Sequence, residues 1–151
     1  MLYTAKKTMR LIVEGGNNYI VTVKDNQPRL LAQIKTKAQL QSPCERFVDV
    51  EKMRGRTTCR IVNVFTDLNG IDSGWTGVKS LIQVERIGIR SGNLYQQTNY
   101  YISSLVSKAI TFADGIRRHW GIENSLHWSR MCFLVKMPLP SVTIMLPLTG
   151  L

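Results

Sequence analysis

AKKTMRLIVEGGNNYIVTVKDNQPRLLAQIKTKAQL, residues 5–40, is the stretch on which the fold class turns. At its centre Tyr19, Ile20, Val21, Thr22 and Val23 form a β-branched, almost continuously apolar run, the composition of a strand covered on both faces. Upstream, Met9, Ile12 and Val13 recur at helical spacing, and Gly15, Gly16, Asn17 and Asn18 supply a stop, which predicts a helix followed by a turn. Downstream, Pro28 suits the first position of a new helix with Leu30, Leu31, Ile34 and Ala38 on one side. Helix, buried strand, helix is an α/β pattern.

From Cys44 to about Leu105 the pattern changes to short β-like runs, FVDVEK, TTCRIVNVF, VKSLIQVERIGI and YQQTNYYISSL, separated by Gly, Asn, Asp and Ser. Helical spacing returns at Ile110, Ala113 and Ile116 and continues toward Leu126, weakened by Gly115 and Gly121. After Trp128 the composition breaks. SRMCFLVKMPLPSVTIMLPLTGL holds three of the five prolines and no acidic residue, and shows neither helical period nor clean alternation.

The chain has 151 residues, 44% hydrophobic and 20% charged, with 20 Lys plus Arg against 10 Asp plus Glu. That composition excludes a disordered basic tail and leaves a globular chain with a net charge of +10. The cations come in small groups, Lys6, Lys7 and Arg10, then Arg54, Arg56 and Arg60, then Arg117 and Arg118, and point to a polyanionic partner, nucleic acid before an anionic membrane. Cys44, Cys59 and Cys132 match no metal or redox spacing and read as reduced thiols of a cytoplasmic protein. No apolar stretch reaches the roughly 18–20 residues of a membrane span, and no signal peptide fits the first sixteen residues. Trp75, Trp120 and Trp128 read as packing residues, and the glycine pairs as turns, since none has a phosphate-loop pattern.

Four segments, KKTMRLIVEGGNNYIVTVKDNQP, RGRTTCRIVNVF, WTGVKSLIQVERIGIRSG, and YYISSL followed by GIRRHWGIENSLHW, resemble one family in the same order. They are similar to the C-terminal half of bacterial insertion-sequence transposases of the H-repeat-associated type, members of the DDE class. The resemblance runs from residue 2 to residue 128, and HWGIENSLHW is its most specific string. It implies a partial RNase H-like domain over residues 1–128, with an antiparallel β insertion at about 44–104 and a catalytic-type helix at about 107–128. It implies DNA, at insertion-sequence ends, as partner, with intact transposase subunits as further partners and no membrane.

The mechanism implied is metal-dependent strand cleavage and transfer. Two Asp and one Glu would hold two Mg²⁺ about 4 Å apart for in-line attack on a phosphodiester. The Glu matches Glu123, as catalytic residue and Mg²⁺ ligand. The positions of the two Asp would precede residue 1, so one carboxylate would face two dications, and this copy is expected to be inactive. Lys24, Asn26 and Gln27, from the strand ending VK-x-NQP, would line the DNA side, although Asp25 departs from the family's glycine. Arg117, Arg118 and His119 would contact phosphate or DNA. His119, Glu123 and His127 also share a helix face, but no fourth zinc ligand accompanies them. Without upstream strands, the strand at 19–23 is expected to expose an apolar edge.

The family continues HWGIEN-x-LHW with a VKDV and an EDAS-x-IR element, whereas this chain reads SRMCFLVKMPLP from Ser129. In a neighbouring frame the codons for residues 128–132 are compatible with WVKDV, and those for 135–150 with GEDASAIRHDYAATNG. Residues 129–151 are therefore expected to be an out-of-frame tail. Of the net charge, +8 lies on residues 1–128. The nucleotide sequence tests this: an EDAS-x-IR-like string is expected in the +1 or −1 frame downstream of the Trp128 codon, and its absence from both defeats the idea.

Overall fold

The computed structural model describes the backbone of all residues except 1, 17, 26, 72, 73, 76, 127–133, 137–141 and 146–151; side chains of 2–6, 8, 118–126, 134–136 and 142–145 are also outside the description. Helix α1 (Leu2–Glu14), strand β1 (Asn18–Val23) and helix α2 (Pro28–Leu40) come first. Four strands follow, β2 (Glu45–Met53), β3 (Arg56–Phe65), β4 (Ser80–Arg90) and β5 (Asn93–Ser103), then helix α3 (Ala109–Leu126) and short strands β6 (Leu134–Lys136) and β7 (Val142–Met145). Among the described residues the strands form one sheet in the order β2-β3-β4-β5-β1-β7-β6. Its first five members pair antiparallel throughout, giving a mixed α/β fold.

The run at 19–23 is buried on both faces, with Tyr19, Ile20, Val21 and Val23 all at 3% exposure or less. Alternation along the strand divides these residues between two cores. Tyr19, Val21 and Val23 meet Met9 of α1, Leu30, Leu31 and Ile34 of α2, and Trp75 from the β3–β4 loop. Ile20 joins Val62, Val64, Ile82, Val84 and Tyr101 beneath Phe112, Ala113 and Ile116 of α3. Burial pushes the Tyr19 hydroxyl above its ordinary pKa.

Local chemistry agrees with the spacing. Helix α1 closes with Gly15 N–H on the Leu11 carbonyl and Gly16 N–H on the Val13 carbonyl, Gly16 taking φ +81°. Pro28 opens α2, where its missing N–H costs nothing. The buried face of helix α3 is Ala109, Phe112, Ala113 and Ile116, so Ala113 and Ile116 point inward as expected, while Ile110 is 53% exposed. The spacing 109, 112, 113, 116 follows a helical stripe more faithfully than 110, 113, 116. Trp75 packs as expected, and Trp120 and Trp128 have side chains outside the description.

One point departs from expectation. The outer edge of β1 is covered, because β7 pairs with it in parallel, Tyr19 opposite Thr143 and Ile20 opposite Ile144. The tail, unpatterned by period, still contains the β-branched run Val142, Thr143, Ile144, which suits an open strand edge. Strands β2–β5 share the sheet of β1, since β5 hydrogen-bonds directly to it.

The junction of β1, β5 and α3 is held by serines. Ser103 Oγ donates to the Tyr19 carbonyl at 2.8 Å and accepts from Leu105 N–H at 2.9 Å. Ser104 N–H reaches the same carbonyl at 3.2 Å, and Ser104 Oγ accepts from Tyr19 N–H at 2.9 Å. No helix among the described residues is long and apolar enough to cross a membrane. Since both Ser103 partners are backbone groups at a fully buried side chain, Ser103→Ala is expected to cost about 1–3 kcal/mol in urea unfolding; a change below about 0.5 kcal/mol would show that the junction tolerates their loss.

Candidate nucleic-acid interface

Helix α3 starts where β2 starts and runs the same way. Ala109 N–H donates to Glu45 Oε1 at 2.8 Å, a carboxylate set at the helix N-terminus. Two turns on, Arg117 donates from Nη2 to Glu51 Oε1 at 2.9 Å, and its Nη1 lies 4.0 Å from Asp49 Oδ2. Asp49 also takes Arg60 Nη2 at 3.4 Å. Register explains the grouping: Asp49 stands opposite Arg60, and Arg60 opposite Arg86. Arg60 is largely buried, its Nε has no hydrogen-bond partner among the described residues, and its guanidinium pKa is lowered by burial and then by Arg117, against the pull of Asp49.

The next row outward reads Glu51, Thr58, Gly88, Tyr95 across four strands. A Cβ at Gly88 would stand 2.5 Å from the Thr57 carbonyl oxygen and 2.9 Å from the Tyr95 ring, so only glycine fits. The ring crosses the space this leaves, and the Tyr95 hydroxyl hydrogen-bonds Thr58 Oγ1 at 2.8 Å. Arg90 lies 5.3 Å from the Tyr95 ring centroid, within cation–π range. Beyond this row the two hairpins end in the turns Arg54-Gly55 and Ser91-Gly92. All four residues have positive φ, the two-residue geometry that matches strand twist.

The expected site residues fall at different levels of this sheet: register aligns Val23, at the end of β1, with Tyr100, Gln83, Asn63 and Arg46, near the start of α3, whereas Arg117 stands further along, beside Asp49 and Glu51. Because β1 runs antiparallel to β5, its C-terminus points toward the hairpin turns, as does that of α3. Lys24, just past β1, is exposed. Gln27 is buried, its N–H on the Lys24 carbonyl and its Oε1 without a partner among the described residues, so it points into the fold. Arg117 is bound by carboxylates. Glu123 lies on α3 six residues past Arg117, but its side chain, with those of Arg118 and His119, is outside the description, as is Asn26 altogether. Spacing grouped Arg54, Arg56 and Arg60 but not Arg86, Arg90, Asp49 and Glu51; the signal that joins them is register, countable from the two X-Gly turns.

The described residues do not fit a two-magnesium site. None of them form a group of three or more Asp, Glu, His or Cys able to hold a metal ion. Asp49 and Glu51, the carboxylates beside α3, are neutralised by arginines. Cys44 and Cys59 are free thiols, and Cys132 is outside the description.

The Escherichia coli K12 protein YbfL is 33% identical over 130 residues, covering 78% of this chain and 34% of its own length. The H repeat-associated transposase YhhI of the same strain is 32% identical over 130 residues, with the same coverage. The transposase YncI of E. coli O157:H7 is 30% identical over 130 residues, 74% of this chain and 31% of that protein. The chain thus spans about a third of the length of the curated relatives it matches. No family model and no solved structure matches it. Two of these relatives are named as transposases.

The two ion pairs beside α3 differ in solvation, which sets their worth. Asp49→Asn would leave the largely buried Arg60 without its carboxylate and is expected to destabilise by about 1–3 kcal/mol. Glu51→Gln, facing the half-exposed Arg117, is expected to cost less than about 1 kcal/mol. Thermal unfolding of the two variants checks the order, and a larger loss from Glu51→Gln would contradict it.

Proposed function

We propose that residues 1–128 are the Glu-bearing part of a DDE transposase catalytic domain with an RNase H-like ancestry, and that the 151-residue chain by itself binds DNA without cutting it. In this reading β2–β5 are the β insertion, α3 is the catalytic-type helix and Glu123 is the third carboxylate. Residues 129–151 are the out-of-frame tail, and the protein acts in the cytoplasm. Support comes from the transposase-named relatives and from α3, the helix that carries Glu123 and packs over β2 and β3 through Phe112, Ala113 and Ile116.

One observation carries the expectation of inactivity. Among the described residues, the carboxylates beside α3, Asp49 and Glu51, are engaged by Arg60 and Arg117, and no group of three or more Asp, Glu, His or Cys is able to hold a metal ion. Arginines beside a lone carboxylate hold a phosphate backbone well and activate no nucleophile. A chain of this kind would occupy insertion-sequence ends, or join intact transposase subunits and lower their activity.

The test uses purified protein, Mg²⁺ or Mn²⁺, and DNA bearing the ends of an insertion sequence. Salt-dependent retention of DNA without cleavage is the expected result. Robust cutting that Glu123→Ala abolishes would overturn the inactivity, and no retention even at low salt would overturn DNA binding.

A further inference from the structure

Past the last turn of core packing, the surface of the sheet that faces α3 is cationic. Arg60 and Arg86 stand opposite one another on β3 and β4. Alternation puts Arg56 and Arg90 on the same face, each four residues nearer the hairpin turns, about 13 Å away at the rise of an extended strand. No carboxylate occurs between Glu51 and Asp67 or between Glu85 and Asp114, so nothing acidic from β3, β4 or β5 interrupts these rows. Among the described side chains, the acidic groups that face this surface, Asp49 and Glu51, stand on the edge strand β2 and hold Arg60 and Arg117 in place.

We propose that this face, with Arg56, Arg60, Arg86 and Arg90 in two rows beside Arg117, is the site that grips the sugar–phosphate backbone of DNA. The inference rests on the DNA-binding reading above and names its surface. Three features select a nucleic-acid backbone. The guanidiniums are carried on paired strands, so their spacing is fixed before binding, and arginine offers forked donors that match phosphate oxygens. The spacing of about 13 Å between rows equals about four phosphate steps of one strand along a duplex axis. Between the rows lies the Tyr95 ring, pinned by Thr58 over Gly88, which keeps the floor flat. A lipid surface is disfavoured because the exposed apolar residues Val48, Val50, Ile89 and Leu94 lie on the opposite face of the sheet, against Met53 beside Arg56 on this one.

Arg56 and Arg90 are exposed, so Arg56→Gln with Arg90→Gln tests the site in the full chain without disturbing the core. Fluorescence anisotropy with a labelled duplex, titrated over salt concentration, gives the slope of log affinity against log salt. The double variant is expected to lower that slope by about two and to keep the parent's circular dichroism. Arg10→Gln with Lys35→Gln, on the exposed surfaces of α1 and α2, is expected to leave it unchanged. If the parent binds DNA and the Arg56/Arg90 variant keeps its slope, the proposed surface is wrong and the DNA-binding reading stands. If the parent binds none, that reading fails first. Displacement of the duplex by polyglutamate at equal charge concentration would assign the face to acidic polypeptides instead.

Discussion

Everything in this structure hangs on a six-residue strand being wrapped on both faces. With Tyr19, Val21 and Val23 in one core and Ile20 in the other, β1 is the wall between the two helical layers. Its backbone is committed just as fully: β5 pairs along one edge, β7 along the other, and the Tyr19 carbonyl is shared by Ser103 and Ser104. Those serines sit where the chain leaves the sheet, so the polar junction also sets the point from which α3 begins. Local hydroxyl contacts thereby determine the line along which α3 carries Arg117 to Asp49 and Glu51.

Much of this was legible in the sequence because it depends on local patterns. The two-sided burial of β1 shows in its unbroken β-branched run, the end of α1 in its glycine pair, and the start of α2 in Pro28. The four strands of the meander follow their own turn residues. Other features were not legible because they depend on distant segments. On helix α3, Ile110 is left in solvent while Phe112 takes an inward place, because the packing of Phe112 against Val62, Val64 and Ile82 is a tertiary matter. The pairing of β7 with β1 links residues more than 120 apart along the chain, a contact that no period or composition announces.

The candidate site divides in the same way. Glu123 was found through resemblance alone, since a single acidic residue on a helix has no local signature. Gln27 shared a string with Lys24, yet burial separates them, one inside the fold and one in solvent. The arginine rows were half visible. A cluster at 54, 56 and 60 is evident in the chain, but its partnership with 86 and 90 needs the register that Arg54-Gly55 and Ser91-Gly92 impose. Two-residue turns make that register an arithmetic consequence, so a sheet surface can be written out from sequence once its hairpins are recognised.

The outer part of the sheet has two sides of opposite character, one set with arginines and the other exposing Val48, Val50, Ile89 and Leu94. Dissolved ions act on these sides in opposite senses. Raising ionic strength screens the cationic side and loosens its hold on polyanions, while strongly hydrated anions such as sulfate strengthen the tendency of the other side to leave water. A strand pair thus becomes a two-way responder: dilute salt favours association through the α3 side, and concentrated sulfate favours association through its back.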